Sequence, residues 1–212
     1  MKIADLLFPK RCPICRELVK NEELICEKCL KEEKLFKIQP IMKKTPFVDE
    51  KIAAAWYKGD VRKAVHRFKF NFKPGYAKPF TFYIYRQYVL EKMSCDIITY
   101  VPSNWYKIFR RGYNQAELLA LELSKFTGKP VIKTVRKTRS TKSMYKLDDA
   151  QRRANVMGAF ELCCEKGKID GKSVLIVDDI LTSGATVSEM AKVLKIGGAV
   201  RVSCAVFACK KQ

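Results

Sequence analysis

Asp178 and Asp179 stand side by side directly after the apolar run Val174-Leu175-Ile176-Val177. After Ile180-Leu181 comes the turn Thr182-Ser183-Gly184-Ala185-Thr186. Adjacent carboxylates can hold two sugar hydroxyls or a metal ion, and a Thr/Ser/Gly turn at a helix mouth offers backbone N–H groups to an anion such as phosphate. Inside an ordinary core strand the same two acids would be unpaired charges, which is costly. A second set is Cys12-Pro13-Ile14-Cys15 with Cys26-Glu27-Lys28-Cys29. Two C-x₂-C knuckles close a tetrahedral Zn²⁺ site, and with Cys12, Cys15, Cys26 and Cys29 all used as ligands no position is left for catalysis, so the predicted metal is structural. The alternative is a redox dithiol, for which a single C-x-x-C on a βαβ unit is expected. A third set is Lys107, Arg110 and Arg111 beside Gly112, where guanidinium forks suit phosphate oxygens.

These residues need particular elements to position them. The apolar run 174–177 reads as a strand buried on both faces of a parallel sheet, which would put the acids at its carboxyl end, where open α/β sheets bind ligands. The helix over 186–196 comes next and ends at Gly197-Gly198. Further strands are expected over 52–57, 96–101, 131–135, 159–162 and 200–207. Helices are expected over 61–70, 76–93 and 114–126, with a short one capped by Asp148 or Asp149 and running through Asn155. Residues 103–112 read as a loop. The basic stretch 136–153 lacks apolar periodicity and reads as a lid over the site. Phe80, Phe82, Tyr83, Tyr85 and Tyr88 fit helix packing, or stacking on bases in a basic groove. His66 is the only histidine, and it reads as a surface or partly buried residue rather than a catalytic one. Strands alternating with helices from 96 onward predict an α/β fold with a mostly parallel sheet flanked by helices.

The 212 residues carry a net charge of +20, unevenly spread. Residues 51–160 hold 23 Lys/Arg against 7 Asp/Glu, a field that attracts polyanions, from phosphorylated metabolites to single-stranded nucleic acid or anionic membrane. A Lys-rich solvated surface is the bland alternative. No apolar run approaches membrane-spanning length, and residues 1–8 lack the features of a signal peptide. Nine cysteines without an export signal then predict a reducing, cytoplasmic location. The charged, Pro-punctuated stretch 31–50 reads as a connector. It places a boundary near residue 45, between a cysteine module over 1–45 and an α/β domain over 46–212.

Residues 174–186 resemble the phosphoribosyl-diphosphate-binding motif of type I phosphoribosyltransferases. Together with the four cysteines, Arg110-Arg111-Gly112-Tyr113-Asn114-Gln115 and Arg152-Arg153-Ala154-Asn155-Val156-Met157-Gly158-Ala159-Phe160, the chain resembles the competence-associated ComF family over nearly its whole length. The resemblance implies a type I phosphoribosyltransferase fold with a small N-terminal zinc finger. It implies Asp178 and Asp179 on the ribose hydroxyls, directly or through Mg²⁺, and Thr182, Ser183, Gly184, Ala185 and Thr186 on the 5′-phosphate. Loop 103–112, with Arg110 and Arg111 as catalytic candidates, would lie near the pyrophosphate under the 136–153 lid. Met144 stands where many family members have Gln. The implied process is DNA uptake in natural transformation, with contact to single-stranded DNA and to DNA-uptake or helicase proteins through the finger. The alternatives are a metabolic transferase acting on a small amine or base, and a non-catalytic sensor of phosphoribosyl diphosphate.

Overall fold

In the computed structural model, which describes residues 10–19, 23–31, 44–141 and 147–210, the run Ser173–Leu181 (β5) is a central strand of a parallel sheet. Glu50–Trp56 (β1), Arg201–Cys209 (β6), β5 and Ile97–Tyr100 (β2) lie side by side in the order β1-β6-β5-β2, and every pair is parallel. Both faces of this sheet are covered, which is why 174–177 is apolar without alternation: all four residues are almost completely buried.

One face is covered by the helices Gly59–Phe70 (α2), Ala77–Leu90 (α3) and Gln115–Thr127 (α5); a five-residue helix, Glu27–Lys31 (α1), precedes them in the cysteine module. The aromatic run 80–88 belongs to this core. Phe80 stacks on Phe207 with ring centroids 3.8 Å apart, and Phe80, Tyr83 and Tyr88 are buried, so packing wins over base stacking there. Cys12, Ile14, Ile25, Cys26 and Cys29 belong to the same buried cluster. The other face is covered by Ala185–Ile196 (α7), through Val187, Met190, Ala191 and Leu194.

Three expectations change. The expected parallel sheet takes in four strands, and the segments near 131–135 and 159–162 stand apart from it as an antiparallel pair, Val135–Lys137 (β3) with Phe160–Leu162 (β4). Of the strand expected over 131–135, Val131 makes an isolated parallel bridge to Ile98, with Ile98 N donating to Pro130 O and Ile132 N donating to Ile98 O. The loop expected over 103–112 contains a helix, Trp105–Arg111 (α4). Its signal is capping rather than periodicity: the Asn104 side chain accepts from Tyr106 N, and Gly112 closes it at φ 77°. Within 136–153, residues 142–146, Met144 among them, lie outside the described residues. The helix Asp149–Val156 (α6) comes after them, closed at its start by an Asp148–Gln151 capping box. The connector reading falls largely on 32–43, also outside the described residues.

Candidate functional site

The acids sit where β5 outruns its neighbour. The β2 ladder closes with Val101 N donating to Val177 O, and Pro102, without an N–H, lets that chain leave the sheet. β5 runs on to Leu181, paired on the β6 side alone, with Asp178 opposite Val206 and Leu181 opposite Cys209. Asp178 and Asp179 therefore lie within the strand, not after it, on the rim of the notch that β2 vacates. The local sequence showed no end to the strand because Ile180-Leu181 continue it.

Successive strand residues face opposite sides. Asp179, only 5% exposed, turns toward α2, where Lys69 Nζ lies 2.9 Å from its Oδ2. Asp178 Oδ1 accepts the backbone N–H of Asp179 at 2.8 Å. Burial and the neighbouring Asp179 charge push the Asp178 carboxyl up to about 7, against the pull of Lys69. More cations crowd the same space. Burial, Arg111 and Lys69 hold the Lys107 ammonium below its ordinary range. Burial and Lys107 bring Lys137 of β3 down to about 8, with Asp178 opposing. Arg111 lies 4.7 Å over the Phe70 ring, donates to Gln115 Oε1 and feels the Asp179 charge. Arg110 is exposed and stacks over Tyr106 instead, so the structure brings Arg111 to the acids and leaves Arg110 outside.

A raised acid pKa has a definite sign in stability. The folded state binds the Asp178 proton at pH values where the unfolded chain has lost it, so this group costs stability as pH rises from the ordinary carboxylate range to about 7. Asp178→Asn keeps an oxygen for Asp179 N and removes that cost. Its melting temperature is expected to exceed the wild type's at pH 8 and to match it near pH 4; equal melting at pH 8 would refute the assignment.

Beyond β5, Gly184 takes φ 76° and caps α7, and Ser188 N donates to Gly184 O. The first-turn N–H groups of α7 thus open onto a cleft of about 770 Å³. Thr182 and Ser183 line it on one side, and Arg152 and Arg153 of α6 on another, with Lys44 and Lys210 also on its walls. Glu189 of α7 fixes α6 by accepting from Gly158 N.

At the N-terminal module, Cys12, Cys15, Cys26 and Cys29 bring their sulfurs within 4.8 Å of one another. Zinc–sulfur bonds of about 2.3 Å imply sulfur–sulfur separations of about 3.8 Å in a tetrahedron, so the four fit a structural Zn²⁺. No disulfide occurs among the described residues. The carboxylate pair is a poorer host for Mg²⁺, because Lys69 already holds one of the two. Lys69 is a site residue that the residue pattern does not single out. No local signal marks it, since it reaches Asp179 only through the packing of α2 on the sheet.

A family model described as a phosphoribosyl transferase domain matches residues 108–212, and one described as a double zinc ribbon domain matches residues 3–41. Competence protein F of Haemophilus influenzae is 35% identical over 101 residues, 47% of this chain and 44% of that protein. The chain thus matches less than half the length of that relative. DNA utilization protein YhgH of Escherichia coli is 28% identical over 201 residues, 90% of this chain and 80% of that protein. Among solved structures, the glutamine phosphoribosylpyrophosphate amidotransferase of B. subtilis overlaps 66% of this chain and 26% of its own, a slight likeness at 21% identity and a TM-score of 0.39. The chain is accordingly phosphoribosyltransferase-like in its C-terminal half, with a four-cysteine cluster resembling a zinc finger before it. Among the described residues no helix is long and apolar enough to cross a membrane.

Proposed function

We propose that this chain binds phosphoribosyl diphosphate in the notch and cleft along β5 and serves the handling of incoming DNA. The observation that carries the reading is the continuity of two carboxylates, a Gly184-capped helix mouth and a cluster of cations at the carboxyl end of β5. Asp178 and Asp179 meet the ribose hydroxyls, and Thr182, Ser183, Gly184, Ala185 and Thr186 take the 5′-phosphate. Lys107, Arg111 and Lys137 face the diphosphate. Transfer breaks the bond between the anomeric carbon and the diphosphate oxygen while a nucleophile bonds to that carbon. The ring gains positive charge near the two acids, and the leaving group carries its electron pair into the field of the cations. Mg²⁺, where it accompanies the donor, would supply further charge neutralisation to the diphosphate. The cysteine module over 1–45 serves as a zinc-held docking unit for DNA-uptake or helicase proteins, and 46–212 is the donor-binding domain of a cytoplasmic protein.

Contact with single-stranded DNA has its own support. Trp105 (75% exposed), Phe109 (81%) and Phe72 (68%) present large rings to solvent around the α4 edge of the notch, beside Arg110. Bases stack on such rings while cations follow the backbone. The names of the two relatives, a competence protein and a DNA utilization protein, point the same way.

One titration series tests both. Phosphoribosyl diphosphate with Mg²⁺ is expected to release binding heat with the wild type and to bind Asp178→Asn at least about tenfold more weakly; equal affinities would sink the donor site. Oligodeoxythymidine binding should weaken steeply with salt. Trp105→Ala with Phe109→Ala should lose about 1–3 kcal/mol per stacked base at an unchanged salt slope. Salt-insensitive binding would refute the nucleic-acid reading.

A further inference from the structure

The charges around the acids do not balance. Among the described residues, Lys69 pairs with Asp179, Lys107 and Arg111 feel the Asp179 charge and Lys137 feels that of Asp178, so four cations share two acids. Such a site gains by admitting an anion, and a divalent cation entering it would add to the surplus. Lys69 sits closest of the four, with its Nζ on Asp179 Oδ2 and three quarters of its side chain covered. A lysine ammonium has three N–H donors, and Asp179 uses one.

Lys69 is also delivered to that place by construction. It is the next-to-last residue of α2, whose Val61, Ala64, Val65 and Phe68 are completely buried. The last turn is pinned on three further sides. Arg67 Nη2 donates to Pro13 O and Ile14 O at 2.7 and 2.8 Å, Tyr113 Oη donates to Phe68 O, and Arg111 lies over Phe70. A surface lysine at a helix end is normally mobile and solvated, whereas this one is held against a carboxylate by the packing of its own helix.

We infer that Lys69 is a built-in counter-cation of the donor site, occupying a carboxylate that would otherwise be open to a divalent metal. It keeps Asp179 oriented and directs its remaining N–H groups at an oxygen of the sugar diphosphate. The protein therefore binds phosphoribosyl diphosphate without depending on Mg²⁺. The inference rests on the donor reading above, and its test separates the two.

Wild type, Lys69→Met and Lys69→Arg are compared in two assays. Mn²⁺ binding to the protein alone is read by electron paramagnetic resonance. Phosphoribosyl diphosphate binding is read by calorimetry, once in excess Mg²⁺ and once in EDTA. The wild type is expected to bind the donor within about threefold in the two buffers, and Lys69→Met to lose about tenfold or more in EDTA and to recover with Mg²⁺. The same variant should take up Mn²⁺ about fivefold more tightly than the wild type, because its carboxylates are released, and Lys69→Arg should behave as the wild type does. Loss of wild-type binding in EDTA, or Mn²⁺ and donor affinities unmoved by Lys69→Met, would overturn the inference. If the wild type takes no phosphoribosyl diphosphate in either buffer, the donor reading falls. The Mn²⁺ comparison then still decides whether Lys69 holds the acids against a divalent ion.

Discussion

Replacing Cys12 and Cys26 together by serine is expected to lower the melting temperature by about 10 °C or more and to abolish zinc retention. The reason is where the cysteines sit. Cys12, Cys26 and Cys29 are buried in one cluster with Val61, Phe68, Phe80 and Phe207, so the knuckles form part of the wall of the main core. Ile14 and Ile25, each 1% exposed, insert from the same module. Structural zinc contributes about 10–16 kcal/mol to the folding of isolated fingers. Here a fraction of that is enough, since about 1 kcal/mol moves the melting point of a chain this size by about 2–4 °C. Burial holds the Cys15 and Cys29 thiols above their ordinary range, so metal binding must release protons from those two. Differential scanning calorimetry with elemental zinc analysis checks this. An unchanged transition in the zinc-free double variant would show that the core holds the module without metal.

Gly184→Val is expected to weaken phosphoribosyl diphosphate binding by about a hundredfold, with a stability loss of only about 2–3 kcal/mol. Gly184 occupies the left-handed region at φ 76°, which costs an ordinary L-residue about 1–2 kcal/mol. A Cβ there would stand 3.0 Å from Thr45 Oγ1 and 3.1 Å from its Cγ2. Thr45 is buried and tied by Lys51 Nζ at 2.8 Å, so it has little room to retreat. The turn must move instead, and with it the N–H groups at the mouth of α7. Gly184→Ala should fall between the two. Calorimetric affinity beside a thermal melt separates damage to the phosphate cradle from general unfolding; a valine variant that binds as the wild type does would remove the turn from the site.

The local motifs were legible because their chemistry is local. A run of Val and Ile next to paired acids, a Thr/Ser/Gly turn, two C-x₂-C knuckles and the Asp148 cap each depend on neighbours a few residues away. Helices 61–70 and 114–126 were legible from apolar spacing, and their observed bounds, Gly59–Phe70 and Gln115–Thr127, agree closely. Helix α4 escapes the periodic signal because none of its residues is fully buried, and its two caps mark its ends. The 131–135 strand was misplaced because pairing partners, rather than β-propensity, decide where a short strand forms.

Residue type and short spacing already single out the side chains suited to a metal, a phosphate and a diol, since that chemistry is local. How the charges combine depends on packing. That packing moved Arg110 out beside Tyr106 and drew Arg111, Lys107 and Lys137 inward. It also set Lys69 on Asp179, two residues far apart in the chain. Coulomb energies depend on distance and burial, and a linear chain specifies neither until its helices have packed on the sheet.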